Sequence, residues 1–109
     1  MKYESAGIWR YRLTADYSFR YRGVLYLIPR GFEWSIGTGL VRLPPFVTGL
    51  LQSALDHDYA YGHLGPEEAD RLMVLSLYRH GTPRVWRHRI IRAVTWYRVS
   101  CLRRGLGVG

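Results

Sequence analysis

The hydrophobic period changes part-way along this chain, and that change constrains the fold more than any other feature. Residues 8–28 contain "IWRYRL" and "YSFRYR", in which large apolar and polar residues alternate as they do in half-buried strands. Residues 29–45 hold three glycines and three prolines and show no period, which predicts a loop. Beyond residue 45 the apolar spacing becomes helical, so the sheet-forming and helix-forming parts are separate.

Glycine and proline divide the second half into three predicted helices. The first begins after Pro45 and ends near residue 61, before Gly62. The second spans 66–80, with Pro66 at its start and acidic residues in its first turn. The third spans 83–104, with Thr82 as N-cap and Pro83 at its first position. The pattern predicts one α+β domain over residues 1–109, a small antiparallel N-terminal sheet packed on a C-terminal cluster of three helices.

The predicted sheet is a single meander over residues 8–28. Ala15 and Asp16 are a plausible turn between its first two strands, and Gly23 separates the next two. Alternation places the arginines on the solvent face, with tyrosine and phenylalanine facing inward; these arginines are Arg10, Arg12, Arg20 and Arg22.

Charge is distributed unevenly along the chain. The formal net charge is +8, all eight acidic residues lie at or before Asp70, and residues 71–109 contain nine arginines and no acid. A region of that sign favours phosphate backbones, anionic surfaces or an acidic protein partner. The single cysteine, Cys101, excludes an internal disulfide framework and a multi-cysteine metal site. No apolar run is long enough to span a membrane and the N-terminus lacks a signal peptide's apolar core, so we expect a protein that is not secreted by that route.

The sequence "SALDHDYAYG" (53–62) is the main candidate for a functional site. On a helical projection Asp58 falls within the apolar face formed by Val47, Leu50, Leu51, Ala54 and Tyr61, whereas Asp56 points the opposite way and His57 lies at the edge. Consecutive residues lie about 100° apart, so these three cannot grip one metal ion, and we expect neither a metal nor a cofactor. We therefore predict a structural hub in which buried Asp58 ties the helix to a neighbouring helix or to the 29–45 loop; its members are His57, Asp58, Tyr59 and Tyr61. Replacing Asp58 should then lower the melting temperature sharply, and Asp56→Ala should not.

Residues 24–97 resemble the phage-associated family called domain of unknown function 1353. The likeness is carried by "GFEW" in a proline-rich loop, "ALDHDYAY", and "PEEADRLMVLSLYRHGTPRVWRHRIIRAV". Where the family's loop has Thr-Asp, this chain has Trp34 and Ser35, and Leu43-Pro44 arrives late. The resemblance implies a bacteriophage or prophage origin, a location in the virion or host cytoplasm, and no established reaction. The missing loop acid argues against acid/base catalysis.

Three functions are compatible with these features. The first is a non-enzymatic phage structural or accessory protein at the tail or head–tail region, which contacts other phage proteins as a symmetric ring or adaptor. The second is a hydrolase of cell wall or lipid that uses His57 and Asp58. The third is nucleic-acid binding through the basic 71–109 region.

The third helix supplies the predicted contacts. Its inward stripe is expected to contain Trp86, Ile90, Ala93, Tyr97 and Cys101. Its other side combines apolar residues with arginines, which suits docking against another protein. The predicted interaction surface consists of Arg84, Arg87, Ile91, Arg92, Arg98, Val99 and Leu102.

Overall fold

The computed structural model describes residues 1–38, 41–42 and 46–103, and at residues 37, 38, 41, 42 and 100–103 it describes the backbone only. Five strands in two antiparallel sheets come first and three helices follow, so the predicted α+β class is confirmed. The strands are β1 (Tyr3–Gly7), β2 (Arg10–Leu13), β3 (Tyr17–Tyr21), β4 (Val24–Ile28) and β5 (Glu33–Ser35). A further two-stranded ribbon joins β6 (Gly37–Thr38) to β7 (Val41–Arg42).

The first sheet has the order β1-β2-β5, so its central strand pairs with two neighbours. On its outer face Arg12 forms ion pairs with Glu4 at 3.0 Å and with Glu33 at 3.6 Å. On its inner face Trp34 lies opposite Tyr11 in register and is buried. The alternation seen in the sequence is therefore the alternation between solvent and core.

The second sheet is the β3-β4 hairpin. Its two-residue turn places Arg22 and Gly23 at φ 52° and 78°, the left-handed pair that matches the twist of a tight hairpin. Phe19, Tyr21 and Ile28 are buried beneath it. The predicted single meander is wrong, because β2 pairs with β1 and β5 and the hairpin stands as a separate sheet.

The predicted loop over 29–45 is also wrong where the structure describes it. The segment contains β5, β6 and β7, which are three, two and two residues long and so too short to show a hydrophobic period. Gly39 and the Leu43-Pro44-Pro45 stretch lie outside the described residues. The predicted turn at residues 15–16 is confirmed, since β2 ends at Leu13 and β3 begins at Tyr17.

The helices are α1 (Leu50–Leu64), α2 (Pro66–Arg79) and α3 (Arg84–Arg103). The predicted bounds of α2 are nearly right. Those of α1 are shifted: the helix begins after Gly49, at φ 79°, continues through Gly62, and ends before Gly65, at φ 90°. A glycine with helical φ can lie inside a helix, as Gly62 does, whereas a glycine with positive φ, such as Gly65, ends it. The residue type alone does not show which conformation a glycine adopts.

The start of α3 also differs from the prediction. The helix begins at Arg84 rather than Pro83. The Thr82 hydroxyl, predicted as an N-cap, donates a hydrogen bond of 2.6 Å to the backbone carbonyl of Thr48. Thr82 therefore ties the start of α3 to the segment that precedes α1. The predicted end at Arg104 lies outside the described residues.

One hydrophobic core joins the sheets to the helices. α1 lies between β5 on one side and α2 on the other, and α3 packs against α2. The fully buried apolar side chains come from every layer; they include Leu13, Ile28, Leu50, Leu55, Leu72, Leu77 and Ile90.

Candidate functional site

His57 lies on α1 between two carboxylates. Its Nε2 is 2.9 Å from Asp70 Oδ1, and its Nδ1 is 3.6 Å from Asp58 Oδ1. Only 17% of the His57 side chain is exposed. Both nitrogens of the ring thus face an acid within a largely dry environment.

This environment fixes the charge of the imidazole. Burial by itself lowers the pKa of His57, but hydrogen bonding and Coulombic attraction from Asp58 and Asp70 outweigh it and raise the pKa from 6.5 to about 9. The ring is therefore protonated at neutral pH and has no free lone pair with which to accept a proton. In this state His57 is a cation that holds two acids together.

Asp70, from the first turns of α2, extends the network to a third helix. Its Oδ1 faces His57, and its Oδ2 accepts from Arg98 Nη1 of α3 at 2.9 Å. Sequence reasoning grouped Asp70 with the acids at the start of its helix and so missed this role. A useful signal was that His57, Asp70 and Arg98 lie on three consecutive predicted helices, which allows the three to meet where antiparallel helices lie side by side.

Asp58 occupies a different place from the one predicted. Its side chain is 34% exposed, and its Oδ2 accepts a hydrogen bond of 3.1 Å from the backbone N–H of Ser35 in β5. The carboxylate thus joins α1 to the 29–45 segment, but at the edge of the core and not within it. The predicted burial of Asp58 is wrong.

Asp56 is the acid that is buried, with no solvent exposure. The Ser76 hydroxyl of α2 donates to Asp56 Oδ2 at 2.8 Å, and Oδ1 has no hydrogen-bond partner within the described residues. Burial, partly offset by the hydrogen bond from Ser76 and the positive charge of Arg79, raises the pKa of Asp56 from 3.8 to about 6. Burial and the nearby Asp56 charge likewise raise the pKa of Tyr17 to about 12.

The error has a physical cause. The helical projection assumed one buried face, whereas α1 is covered by β5 on one side and by α2 on the other. Both helices bury small residues, which allow them to approach closely; those with no exposure are Ser53 and Ala60 of α1 and Ala69 and Ser76 of α2. Ser53, Asp56 and Ala60 follow the spacing i, i+3, i+7, so this stripe of small residues was the signal that placed Asp56 inside.

The two tyrosines of the predicted hub have separate environments. The Tyr59 ring packs edge-on against Phe19 and Phe32, at 6.0 and 5.8 Å between centroids, and stacks on His63 at 4.1 Å. Tyr61 is 36% exposed, and its ring centroid is 6.0 Å from that of His57. The prediction that Tyr61 belongs to the core face is wrong. The hub as a functional unit stays a prediction.

The predicted interaction surface on α3 is divided by contacts within the chain. Arg98 pairs with Asp70, and Ile91 packs against the core. Arg87 donates to the Thr82 carbonyl at 2.8 Å and its guanidinium lies 4.1 Å above the Tyr78 ring. The remaining described members are exposed; they are Arg84, Arg92 and Val99. The side chain of Leu102 lies outside the described residues.

The inward stripe of α3 is rotated from the predicted one. Ile90 is fully buried and Trp86 packs against the core, as expected, but Tyr97 is 44% exposed. Ile91 and Val94 complete the buried side, because α3 meets α2 along that line. The side chain of Cys101 lies outside the described residues.

A groove of about 290 Å³ runs between α2 and α3 beside this network. Asp70 and Arg98 line it together with apolar side chains that include Met73, Ile91 and Val94. Within the part of the chain that the structure describes, no three His, Cys, Asp or Glu side chains converge to hold a metal ion. None of the helices in that part has both the length and the apolar content of a membrane span.

No family model, curated protein or solved structure matches this chain. The resemblance to the phage-associated family therefore depends on the quoted residues alone and stays a prediction.

Proposed function

We propose that this chain is a non-enzymatic structural or accessory protein that acts by protein–protein contacts. The observation that carries the proposal is the setting of His57, whose ring nitrogens lie 2.9 Å from Asp70 and 3.6 Å from Asp58, two carboxylates that raise its pKa to about 9 and so favour the protonated ring. A general base must be unprotonated and must reach its substrate. The residue best placed for catalysis instead joins α1 to α2, and through Asp70 to α3.

The hydrolase alternative is weakened further by Asp58. Its Oδ1 faces the imidazole and its Oδ2 accepts from the Ser35 backbone, so both oxygens are engaged. The neighbouring groove between α2 and α3 is lined by Asp70 and Arg98, whose charges neutralise each other at 2.9 Å. This arrangement stabilises the packing of helices, and the engagement of His57, Asp58 and Asp70 with one another supports a structural role over an acid/base role.

The resemblance to a phage family supports a setting in the virion, at the tail or the head–tail region. Components there assemble as rings of identical subunits, which need repeated contacts between small, stable chains. The excess of arginine favours an acidic neighbour in such a ring or adaptor.

Quantitative mass spectrometry of particles made by the phage that encodes the chain tests this proposal. We expect the chain in purified particles at a copy number that is a fixed multiple of the ring symmetry. Particles that contain every known structural protein but lack this chain would contradict the virion setting. An NMR titration in which the His57 ring loses its proton below pH 7 would remove the argument against catalysis.

A further inference from the structure

A depression of about 590 Å³ lies between the β3-β4 hairpin and α2. It is lined by Arg20, Arg22, Arg71 and Arg79 around the side chains of Tyr21, Val74 and Leu75. The described lining residues thus include four cations and no acid. This concentration of positive charge on one concave surface was not visible in the sequence, where the four arginines are spread over 60 positions.

The arginines differ in how far they are already neutralised. Glu68 accepts from Arg71 at 2.7 Å and lies 3.3 Å from Arg22, so one acid serves two of them. Arg79 donates to the backbone carbonyl of Arg20 at 3.3 Å and its charge acts on the buried Asp56, but it forms no ion pair with a carboxylate within the described residues. The Arg20 guanidinium makes no hydrogen bond or ion pair within the described residues. The surface therefore has an excess of positive charge that an external anion would satisfy.

Exposed leucines accompany these arginines on both the hairpin and α2. Leu25 lies directly opposite Arg20 in the hairpin register, and directly opposed residues share a face of a sheet. Leu27 follows on the same face, and Leu75 projects from α2. These three leucines are 56%, 57% and 51% exposed. An exposed apolar patch bordered by arginines is typical of protein interfaces, in which arginine is enriched.

We propose that this depression, with the adjoining leucines, binds a segment of a partner protein that carries both acidic and apolar side chains. The inference rests on the proposed function, which requires protein contacts, and it names the place and the chemistry of the partner. Carboxylates would pair with Arg20 and Arg79, and apolar side chains would cover Leu25 and Leu75.

The lining of the depression argues for a protein and against a single-stranded nucleic acid. Bases bind by stacking on exposed aromatic faces. The only aromatic side chain that lines the depression within the described residues is Tyr21, which is 5% exposed and whose hydroxyl donates to Glu68. Leucines offer apolar area without a stacking plane.

Fluorescence anisotropy with a labelled peptide of alternating glutamate and leucine tests the site. Arg20→Glu should weaken binding about tenfold or more, since a charge-assisted contact contributes about 1.5–3 kcal/mol. Arg89→Glu is the matched control, because it makes the same change of charge on an exposed residue of α3 that lies outside the predicted interaction surface, and it should weaken binding less than about twofold. Leu75→Ala should also weaken binding while leaving the far-UV circular dichroism unchanged.

Three results would overturn the site. The first is an equal loss of binding for Arg20→Glu and Arg89→Glu, which would indicate only a general field. The second is failure of the peptide to bind at low salt. The third is tighter, Arg20-dependent binding of an oligothymidine, which would assign the surface to nucleic acid. Peptide failure together with recovery of the chain in phage particles would reject this site and leave the proposed function intact. Specific binding of the peptide by a chain that is absent from phage particles would support this site and reject the virion setting.

Discussion

Asp56→Asn tests whether a carboxyl group is buried between α1 and α2. Asparagine has nearly the same shape and keeps an oxygen that can accept from the Ser76 hydroxyl, but it cannot ionise. The substitution therefore removes the charge without removing the hydrogen bond of 2.8 Å. Any change in the free energy of unfolding that the new amide group causes is independent of pH. The informative quantity is therefore how the difference in free energy of unfolding between Asp56→Asn and wild type changes with pH.

The expected magnitude follows from the pKa of Asp56, which burial raises from 3.8 to about 6. Between these values the folded protein keeps a proton that the unfolded chain has released, so the free energy of unfolding falls as pH rises. At 1.36 kcal/mol per pH unit, this difference amounts to about 3 kcal/mol. Relative to wild type, Asp56→Asn should therefore gain most of this difference, about 2.4 kcal/mol of stability, between pH 4 and pH 7.

Urea denaturation measured at intervals from pH 3.5 to 7.5 checks this expectation, with the slope m confirming that both proteins unfold in the same way. Glu67→Gln is the control, since it removes an acid from an exposed position on α2 and should leave the pH profile parallel to wild type. Parallel profiles for Asp56→Asn and wild type would show that Asp56 is hydrated or paired in the folded protein, and the reasoning would fail.

Three more substitutions probe other parts of the fold. His57→Gln should lose most stability, relative to wild type, near pH 6 and progressively less towards pH 9. The reason is that a pKa raised from 6.5 to about 9 stabilises the fold by about 3 kcal/mol only while the ring is charged. A difference in the free energy of unfolding that stays constant with pH in urea denaturation would contradict the ion pairs. Gly49→Ala should destabilise the fold by at least about 1 kcal/mol more than Gly81→Ala. Both glycines have a positive φ, but only at Gly49 would the new Cβ lie 2.6 Å from Thr82 Oγ1. Equal decreases in melting temperature for the two variants would contradict the close packing of Gly49 against Thr82. Gly62→Ala, in open space within α1, should stabilise by about 1 kcal/mol in the same melts, and a loss would indicate an undetected contact there.

The elements with long, regular patterns could be predicted from sequence. The β3-β4 hairpin and α2 follow alternation or a proline start and lie within a residue or two of the expected positions. The short strands β5, β6 and β7 could not be found in this way, because two or three residues cannot establish a period. β5 pairs with β2, which lies more than 20 residues earlier in the chain, and β6 pairs with β7 in a ribbon of its own.

Only part of the candidate site could be predicted from sequence. His57 and Asp58 were identified from their residue types, and both belong to the network. Which acid is buried depends on what covers each side of α1, and a single-helix projection contains no information about neighbours. Asp70 and Arg98 enter only when three helices are placed side by side, so tertiary packing decides the site.

The contacts that run from the Ser35 amide through Asp58, His57 and Asp70 to Arg98 cross β5 and all three helices. Breaking either contact of His57, whose side chain is largely buried, leaves a charged group without a partner in a poorly solvated place, so opening at the centre of this line is penalised. Amide protons in β5 and near the joined ends of the helices should consequently exchange at a shared rate, as one foldon. β5 and the three helices would then open cooperatively, and a pH high enough to deprotonate His57 would destabilise all of them together.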